Sequence, residues 1–593
     1  DQAAALFFKM AAVALGIDLG TTFSCVGAVH HETVEVIPNA HGSRITPSVV
    51  YYGDVTRVGE EATEMRALEP QRTIYQVKRF MGKDATDESL QEFSWDFEVV
   101  GNAQGGATFR VDGTDYSPER VSADILKHMK NVAKDFLGYD LVDAVITVPA
   151  KFNNAQRTAT RDAGRIAGLN VLSIVNEPTA AAIAYGYKRC DNKSRVILVF
   201  DLGGGTFDVS IVRMQGLKVD VLSTEGDMNL GGENFDQAMF DDMTTRFAQN
   251  GMDADAWPLK QACERAKRQL SKAEMATIAA STAAGGTATD TMTRGHLNEL
   301  IESDLQKTIS LVEQALAGAK LRKADLDEIV LVGGSTRIPL VAGLLAGFFP
   351  GQQIKHDIHP DEAVAFGAAV LAHSLAGASK LSTVMLRDVT PLSLGMEVDG
   401  GLMCVCVPKN TPIPHADSGD FDNPRDRMQF ITFTLYEGER TLAKDNHRLG
   451  AVSIRVPPRP KGMNKLKVIF EIDANGILTV RAMDLETRQR VEVKVQTGSL
   501  TKEQVEKMKE DADAHESKDR DERDRVLARA RFGDAVARIR RLARKADDAD
   551  ERTDLERRAD QEEAWLRVSQ GVPKRIYEAR LALLPKAVRQ EQA

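Results

Sequence analysis

The sequence predicts a multidomain protein whose fold class changes twice along the chain. Up to about residue 380, apolar strand-like runs alternate with helical stretches, which is typical of α/β proteins. Residues 388–496 contain short segments of alternating hydrophobicity, which indicates an all-β unit. From residue 500 onward the chain is helical and highly charged. Its 593 residues fit roughly three to five domains.

The first region has the pattern of strands that are covered on both faces. The runs DAVITVPA (143–150), RVILVFDLGG (195–204) and EIVLVGGST (328–336) are almost continuously apolar, as in parallel sheets flanked by helices. Between such runs lie stretches with helical composition, TAAAIAYGY (179–187) and DEAVAFGAAVLAHSL (361–375). The alternation of the two patterns predicts an α/β architecture for this region.

The second region predicts antiparallel strands. In LKVIFEID (466–473) every second residue is apolar, ANG (474–476) supplies a turn, and ILTVRAMD (477–484) returns, which indicates a hairpin. QFITFTLYEG (429–438) alternates in the same way. These segments predict an all-β unit of about 110 residues.

The last region predicts amphipathic helices. Val536, Ile539, Leu542 and Ala546 recur at helical spacing and predict one apolar stripe. The pattern alone leaves a coiled-coil or scaffold arm and a helical lid equally open.

Composition argues against several classes of protein. The formal net charge of −10 disfavours a nucleic-acid-binding protein. We interpret the basic stretch 530–545 as a solvated helix face because acidic residues follow it. Five dispersed cysteines predict a reducing compartment without a disulfide framework. No apolar run reaches the ~18 residues that a membrane span needs.

One short pattern occurs twice, in GIDLGTTFSCVG (16–27) and in FDLGGGTFDVS (200–210). In both, a strand ends in aspartate and runs into a turn of glycine and threonine. Glycines let backbone N–H groups approach an anion closely, and an aspartate can hold a hydrated Mg²⁺. Two such turns could clamp a metal–polyphosphate from opposite sides. The chain has no Walker A motif, and a single turn of this kind is more often an ordinary β-turn.

A third glycine turn supports the nucleotide hypothesis. LVGGSTRIP (331–339) follows an apolar strand and adds Ser335 and Arg337. The planar guanidinium of an arginine can stack on a base. Together the three turns point to a nucleotide rather than to free phosphate.

Eight motifs in order resemble the heat shock protein 70 chaperone family. They are GIDLGTTFSCVG, VITVPAKFNNAQRTAT, NEPTAAAIAYG, DLGGGTFDVS, ERAKRQLS, LVGGSTRIP, DEAVAFGAAV and DVTPLSLG. The resemblance implies an actin-like, two-lobed ATPase domain (10–380), a linker (381–391), a β-sandwich peptide-binding domain (392–499) and a helical lid and tail (500–593). It also implies ATP and ADP as ligands, with Mg²⁺ and K⁺.

The resemblance further implies roles for single residues in ATP hydrolysis. It places catalytic roles on Lys78, Glu177, Asp201 and Thr206, and metal binding on Asp18, Asp201 and Asp208. The residues that it places around the nucleotide are Gly20, Thr21, Thr22, Phe23, Gly203, Gly204, Gly205, Glu264, Lys267, Arg268, Ser271, Gly333, Gly334, Ser335 and Arg337. Lys78 would offset charge on the transferring phosphoryl group and orient the attacking water.

Coupling and peptide binding are implied in the same way. Coupling of nucleotide state to the β-sandwich would involve Pro149, Arg157 and Asp388. The peptide groove would be lined by Met396, Asp399, Phe421, Pro424 and Ile431. For Met396, Phe421 and Ile431, membership of the sandwich core is an equally good interpretation.

The chain departs from the family pattern at its coupling and peptide surfaces. Arg387 is expected to put a charge where an apolar linker side chain would dock, and Lys151 replaces an aromatic residue. Ser173 replaces an arginine that contacts J-domain cochaperones, so weak coupling to those partners is expected. Asp399 and Pro424 occupy arch positions over the groove, where a carboxylate costs desolvation on peptide binding.

Three functions are compatible with these residues. The first is an ATP-dependent chaperone, cytoplasmic, that binds unfolded or extended polypeptides and works with J-domain proteins and nucleotide-exchange factors. The second is a chaperone-derived scaffold that binds ATP within a stable larger assembly. The third is a regulator that exchanges nucleotide on a partner. The preserved nucleotide residues favour the ATPase chaperone, whereas the departures favour the scaffold.

Overall fold

The computed structural model describes residues 14–494 and 525–584, except residues 54, 92, 104, 190, 283–284, 356, 378–383, 399, 526–527, 530, 547 and 570–571. The chain divides into two compact units. The first comprises Asp1–Leu394, Cys406–Thr432 and Leu449–Glu506, and the second comprises Gly395–Val405, Phe433–Arg448 and Lys507–Ala593.

The N-terminal third of the first unit alternates strands with helices. Its strands are Leu15–Asp18 (β1), Phe23–His30 (β2), Thr33–Val36 (β3), Thr46–Pro47 (β4), Val49–Tyr52 (β5), Thr56–Val58 (β6), Thr73–Tyr75 (β7), Glu98–Gly101 (β8), Ala107–Val111 (β9), Thr114–Tyr116 (β10), Asp143–Val148 (β11) and Asn170–Asn176 (β12). Its helices are Glu60–Arg66 (α1), Glu88–Gln91 (α2), Pro118–Leu137 (α3), Asn154–Ile166 (α4) and Glu177–Arg189 (α5).

The following part, to residue 375, also combines strands with helices. Its strands are Ser194–Leu202 (β13), Phe207–Gln215 (β14), Lys218–Asp227 (β15), Met275–Ser281 (β16), Thr287–Thr293 (β17), Glu328–Val332 (β18) and Gln353–Lys355 (β19). Its helices are Gly232–Gln249 (α6), Ala256–Leu270 (α7), Arg294–Gly318 (α8), Pro339–Phe348 (α9) and Ala363–Leu375 (α10).

Residues 385–494 are here called the β region, and their described part contains ten strands. They are Met385–Val389 (β20), Leu394–Val398 (β21), Leu402–Val407 (β22), Pro412–Ile413 (β23), His415–Asp422 (β24), Phe430–Glu437 (β25), His447–Arg455 (β26), Lys465–Ile472 (β27), Leu478–Asp484 (β28) and Arg490–Lys494 (β29). Short 3₁₀ turns occur at Pro70–Arg72, Val77–Phe80, Lys323–Asp325, Gly334–Arg337 and Ala443–Asp445.

The C-terminal helices form a bundle with a core of its own. They span 531–545 (α11), Ala549–Val568 (α12) and Lys574–Ala582 (α13). Phe532, Ile539 and Tyr577 are completely buried in that core. The predicted apolar stripe is partly wrong, because Leu542 is 36% exposed and the neighbouring Ala543 is buried instead. A one-residue drift of this kind follows from the 3.6-residue period of the helix.

Local sequence explains where two helices of the first unit begin and end. Ser117 caps α3 by accepting a hydrogen bond from the Arg120 N–H, and Gly138 ends it with a φ of 81°. Helix α4 begins with a capping box in which Asn153 and Gln156 exchange hydrogen bonds between side chain and backbone.

Two sheets of the first unit share one topology. The order β12-β11-β1-β2-β3 in the first sheet repeats as β19-β18-β13-β14-β15 in the second. In each, the middle strand pairs in parallel with the strand on one side and antiparallel with the next strand of the chain. The repeated aspartate–glycine turns therefore occupy equivalent places, after β1 and after β13. This repetition explains why the chain carries the turn twice.

Each sheet has its own apolar core. Residues of β1, β11 and α3 build one core, and residues of β13, β18, α7 and α8 build another. Helices α5 and α10 contribute small residues to a third core, in which Ala180 and Ala368 are completely buried. A Cβ on Gly367 of α10 would overlap the Ala180 carbonyl of α5, so glycine is needed where these helices cross.

The hairpin prediction is confirmed. β27 and β28 pair antiparallel with Leu466 opposite Asp484, and Leu466, Val468 and Phe470 are completely buried. In β25, Ile431, Phe433 and Leu435 are buried as their alternation predicts. Among the described residues, no helix combines the length and the apolarity needed to cross a bilayer.

Candidate active site and coupling surface

The two repeated turns meet face to face. A Cβ built on Gly204 would overlap the Thr22 hydroxyl, and one on Gly205 would lie 2.7 Å from the Thr21 methyl carbon. Gly20 is equally restricted, since its Cβ would overlap the Phe23 carbonyl. Glycine at these positions lets two backbone turns, rich in N–H and hydroxyl donors, approach within contact distance.

Neighbouring backbone holds the second turn in place. The Gly203 N–H donates to the Thr206 carbonyl at 2.9 Å. The Gly203 carbonyl accepts from the Ser335 hydroxyl at 2.8 Å and from the Gly232 N–H at 3.0 Å. Gly333 precedes Ser335 with a φ of 82°, and a Cβ there would overlap the Leu202 carbonyl. The third turn predicted from the sequence thus braces the second.

Charged side chains concentrate beside these turns. Lys78 and Glu177 form a buried ion pair, with side chains 5% and 10% exposed. Asp18 ends β1 and accepts from Thr147 at 3.1 Å. Asp201 and Asp208 lie opposite each other on β13 and β14 and are both buried. Both side chains of the Lys78–Glu177 pair are therefore buried and are not solvated surface groups.

Burial shifts the acidity of this cluster. Burial raises the pKa of Asp18 to about 7, and the Glu177 carboxylate adds to that rise. The pKa of Asp201 is also raised well above its ordinary value, by burial first and then by Glu177, Asp208 and Asp18. Four carboxyl groups here face one ammonium, so the cluster favours a bound cation.

The donor set fits a hydrated magnesium ion better than a dehydrated one. In the described residues, no three His, Cys, Asp or Glu side chains are arranged to hold a metal by themselves. Mg²⁺ usually keeps several waters and is bound by one or two carboxylates together with substrate phosphates. Carboxylates beside two turns that are rich in backbone N–H groups would meet that requirement.

The predicted nucleoside residues lie on α7 and the third turn. Lys267 donates to the Gly232 carbonyl at 2.8 Å and to Asp236 at 2.6 Å. Glu264 and Arg268 form an ion pair one helical turn apart, and the Arg268 guanidinium lies 5.4 Å from the centre of the Phe23 ring. This arrangement connects α7 to the first turn.

Other predicted residues in this area have local partners. Ser271 donates to the Lys267 carbonyl at 3.4 Å, which is one turn back on the same helix. Arg337 forms a partly exposed ion pair with Asp361 at 2.7 Å, and Gly334 packs against that carboxylate. The structure therefore pairs Arg337 with an acid, and its stacking on a base remains a prediction.

Sequence reasoning missed Arg79 and Glu233. Glu233, at the start of α6, accepts from the Thr22 hydroxyl at 2.7 Å and forms an ion pair with Arg79 at 3.4 Å. Arg79 also donates to Asn229 at 3.1 Å. The signal available was the glycine pair preceding Glu233, which resembles the other phosphate-type turns.

A second missed contact joins α1 to α7. The Arg66 guanidinium lies between the Tyr75 ring, at 3.3 Å, and the Trp257 ring, at 3.9 Å. Asp96 accepts from Arg66 at 2.9 Å and from the Tyr75 hydroxyl at 3.0 Å. Residues so distant in sequence give no local pattern from which this stack could be predicted.

The predicted coupling residues form a connected polar chain. Arg157 is buried and donates to the Asn176 side chain at 2.6 Å and to the Phe152 carbonyl at 2.9 Å. Asn176 in turn donates to Asp388 at 2.8 Å. Pro149 lies at the start of the same turn, whose Phe152 N–H donates to the Pro149 carbonyl at 3.0 Å. Burial raises the pKa of Asp388, and Arg157 opposes that rise.

The turn between β27 and β28 lies against the first sheet. Asn475 accepts from the Ser173 hydroxyl at 2.9 Å and from the Ile174 N–H at 3.0 Å. The Leu478 N–H donates to Asn154 at 3.0 Å. Ser173, for which a lost cochaperone contact was expected, thus has a partner within the chain.

The linker also pairs with the second sheet, and here one expectation is wrong. β20 runs parallel to β15, with Asp220 opposite Arg387. Arg387 is exposed, whereas Leu386 packs against the third core. Because strand residues alternate between faces, Arg387 does not place its charge at the apolar docking position.

The predicted peptide-binding residues are spread over several strands. Met396 and Ile431 are 0% and 3% exposed, as core side chains are. Phe421 lies on β24 opposite Leu466, and Pro424 is half-buried in the loop that follows β24. Asp399 lies outside the described residues. A peptide-contact role for these residues stays a prediction.

The geometry defines a class of protein in which two halves with the same sheet topology present glycine–threonine turns to each other beside buried carboxylates. A family model for the Hsp70 protein matches residues 14–592. The chain is 39% identical to a heat shock 70 kDa protein of Neurospora crassa, over 96% of this chain and 92% of that protein. It is 41% identical to a ribosome-associated molecular chaperone of Zygosaccharomyces rouxii, over 89% of each. It is 41% identical to the heat shock cognate 70 kDa protein 3 of Dictyostelium discoideum, over 86% of this chain and 85% of that protein.

The chain belongs to the Hsp70 family. It is an ATP-dependent molecular chaperone and an ATPase that binds ATP and ADP, and the scaffold alternative is not favoured. The mixed sheets and helices fit a two-lobed ATPase with additional β and helical parts.

Proposed function

We propose that Mg²⁺–ATP binds between the two glycine–threonine turns, with the phosphates on their backbone N–H groups. The observation that carries this proposal is the contact between the turns at Thr22 and Gly204, beside the buried Lys78–Glu177 pair. Two lobes of an actin-like domain would each contribute one sheet and one turn. Lys267, Arg268 and Ser271 on α7, with Ser335 and Arg337 opposite, would enclose the nucleoside.

Each charged residue of the cluster has a distinct role in this proposal. Lys78 holds a positive charge beside the transferring phosphoryl group and orients the attacking water, and Glu177 lies near that water and fixes the Lys78 ammonium. Asp18, Asp201 and Asp208 hold the hydrated Mg²⁺, which offsets phosphate charge when bound. Thr206 closes the second turn through its backbone, and K⁺ binds close to the same carboxylates.

Nucleotide state is transmitted through Pro149, Arg157 and Asp388. The hydrogen bonds from Arg157 to Asn176 and from Asn176 to Asp388 join the turn after β11 to the linker. A change in that turn would therefore alter how the linker pairs with β15. The linker in turn leads to a β-sandwich that binds extended polypeptide segments, and a helical lid follows the β-sandwich in the sequence.

The finer biological setting follows from the same reasoning. Unfolded or extended polypeptides are the substrates, the cytoplasm is the proposed location, and nucleotide-exchange factors are partners. J-domain proteins would stimulate hydrolysis only weakly, since Ser173 lacks a guanidinium and contacts Asn475. None of the contacts described above supports a fixed place of this chain in a larger assembly.

Single-turnover ATP hydrolysis, with and without excess Leu-rich extended peptide, tests this function. Faster hydrolysis with peptide is expected, because the β region contacts the first sheet at Asn475 and the second through the linker. Tight ATP binding with slow hydrolysis that is indifferent to peptide would contradict coupling but not nucleotide binding.

A further inference from the structure

A buried cluster of three charges joins three separate parts of the first unit. Lys151 lies in the turn after β11, Glu225 lies on β15, and Lys409 lies in the turn before β23. The Lys151 ammonium is 3.0 Å from one Glu225 carboxylate oxygen, and Lys409 forms an ion pair with the other oxygen. Lys151 and Glu225 are 2% and 1% exposed, and Lys409 is 20% exposed.

The cluster is electrostatically sensitive to the loss of its carboxylate. One buried anion compensates two ammonium groups, so its neutralisation leaves two like charges close together in a low-dielectric environment. Loss of the Lys409 charge is expected to cost less, since Glu225 keeps Lys151 as a partner. A substitution at Lys409 therefore breaks the contact with the β region without leaving the buried Glu225 carboxylate without an ion pair.

The surrounding contacts fix the β-region turn on the second sheet. The Asn410 side chain and the Ser223 hydroxyl fill the space beside Gly318 of α8, where a Cβ would lie 2.9 Å from the Asn410 amide nitrogen. The Lys409 N–H donates to Ser393 at 2.9 Å, and Lys151 donates to the Pro391 carbonyl at 3.5 Å. The linker is therefore held between Lys151 and the turn that carries Lys409.

The same cluster adjoins the catalytic centre. Phe152 follows Lys151, and its ring centre lies 5.9 Å from the Lys78 ammonium. Arg157 holds this short turn by donating to the Ala150 carbonyl at 3.2 Å and to the Phe152 carbonyl at 2.9 Å. A displacement of Lys151 would therefore move the ring that packs beside Lys78.

We propose that Glu225 is a positioning residue that ties the Lys78 end of the active site to the β region through Lys151 and Lys409. The proposal rests on the proposed function, because it gives the path by which peptide occupancy of the β region alters hydrolysis. Lys151 is one of the positions at which this chain departs from the family pattern. The Lys151–Glu225 pair is accordingly a feature of this chain rather than a carry-over from the resemblance.

Lys409→Met in the full chain tests the path with little risk to folding. Methionine keeps the length of the lysine stem and removes the charge. The matched control is Lys465→Met, which breaks an exposed ion pair with Asp422 on β24 and touches none of the three charges. Lys409→Arg restores the charge and serves as the conservative rescue. Glu225→Gln is the more severe variant.

The measurement is the single-turnover hydrolysis rate with and without saturating Leu-rich peptide, together with ADP affinity and thermal unfolding. For Lys409→Met, the ratio of stimulated to basal rate is expected to fall about fivefold. Its basal rate and ADP affinity stay unchanged. Lys409→Arg and Lys465→Met keep the wild-type ratio of stimulated to basal rate. Glu225→Gln loses the stimulation by peptide and also unfolds at lower temperature.

The outcomes separate this inference from the function on which it rests. A wild-type chain without peptide stimulation would overturn the proposed coupling itself. Stimulation that is present in the wild type and unchanged in Lys409→Met would overturn only the Glu225 path. A parallel loss in Lys465→Met, or a basal rate that falls together with thermal stability, would mean a merely structural role and would also overturn it.

Discussion

The proposed nucleotide site, here called the cleft, and the contacts of the β region with the two sheets, here called the junction, both bury charged groups, but they balance these charges differently. In the cleft, Asp18, Glu177, Asp201 and Asp208 face one ammonium, Lys78. At the junction, Lys151 and Lys409 each form an ion pair with Glu225. A cleft with excess negative charge gains stability from a cationic ligand, whereas paired charges hold two segments of chain together. The comparison predicts that cleft substitutions alter chemistry and that junction substitutions alter communication.

The largest effect is expected for Lys78→Ala, which removes the only ammonium in the described part of the carboxylate cluster. Hydrolysis should fall by about 10²–10³-fold, the cost of losing one preorganised charge at a developing anion. ATP binding should persist, since the backbone turns carry the phosphates. Single-turnover hydrolysis and equilibrium ATP binding measure the two quantities. Loss of binding as well would mean that Lys78 is mainly a binding contact.

The control for that variant is Lys130→Ala. Lys130 is a lysine of similar setting, with a side chain 15% exposed and an ion pair to Asp140 at 3.5 Å, but it lies on α3 rather than among the carboxylates. Its removal should leave hydrolysis unchanged within experimental error. An equal loss in both variants would contradict a catalytic role for Lys78.

A smaller effect in the cleft is expected for Arg66→Ala. The variant removes a guanidinium that lies between the Tyr75 and Trp257 rings. Trp257 is on α7, the helix that also carries Lys267. Cation–π contacts contribute about 0.5–2 kcal/mol each, so ADP release should quicken by about tenfold with little change in the chemical step. Stopped-flow release of a fluorescent ADP measures this rate. Arg72→Ala, which breaks partly exposed ion pairs with Glu69 and Asp112, should not change it.

At the junction, Asn475→Ala should weaken communication while leaving chemistry intact. It removes an acceptor that serves the Ser173 hydroxyl and the Ile174 N–H. The two lost hydrogen bonds amount to about 1–2 kcal/mol, so the effect of ATP on peptide affinity should shrink by about fivefold. Fluorescence anisotropy of a labelled extended peptide, with and without ATP, measures this effect. An unchanged ATP effect would mean that this contact does not contribute to coupling.

The two regions also differ in how far the sequence predicts them. The cleft can be predicted from the sequence because each half repeats the local pattern of a strand, an aspartate and a glycine turn. The family motifs also occur in the expected order. The junction contacts join positions such as Ser173 and Asn475 or Lys151 and Lys409, and each side chain alone has the pattern of a solvated or core residue. Local sequence carries no information on such pairs, because their partner is chosen by the tertiary fold.

Arg387 shows that local sequence can also predict a disturbance that the tertiary fold avoids. Its charge in the linker predicted a disturbed docking surface, but strand pairing between β20 and β15 turns Arg387 outward and Leu386 inward. The register of the strand, which the linker sequence alone does not specify, decided the outcome.

The smallest effect concerns a third kind of buried ionisable group, a carboxyl group for which the described residues supply no counter-ion. Glu437 ends β25, is 4% exposed, and has one carboxyl oxygen without a hydrogen-bond partner among the described residues. Burial alone raises the pKa of Glu437 from 4.5 to about 8. The folded chain therefore holds this proton more tightly than the unfolded chain does.

The sign of the pH dependence follows directly. Between about pH 4.5 and 8 the unfolded chain loses this proton while the folded chain keeps it, so the free energy of unfolding falls as the pH rises through that window. Glu437→Gln removes the titration and should raise the melting temperature of the β region at pH 8 by several degrees, with little change near pH 4.5. Glu439→Gln, an exposed neighbour, should have no such effect. A melting temperature for Glu437→Gln that shifts equally at both pH values would mean that the carboxyl acts through packing rather than through its proton. Glu437 would then not be a third kind of buried ionisable group beside those of the cleft and the junction.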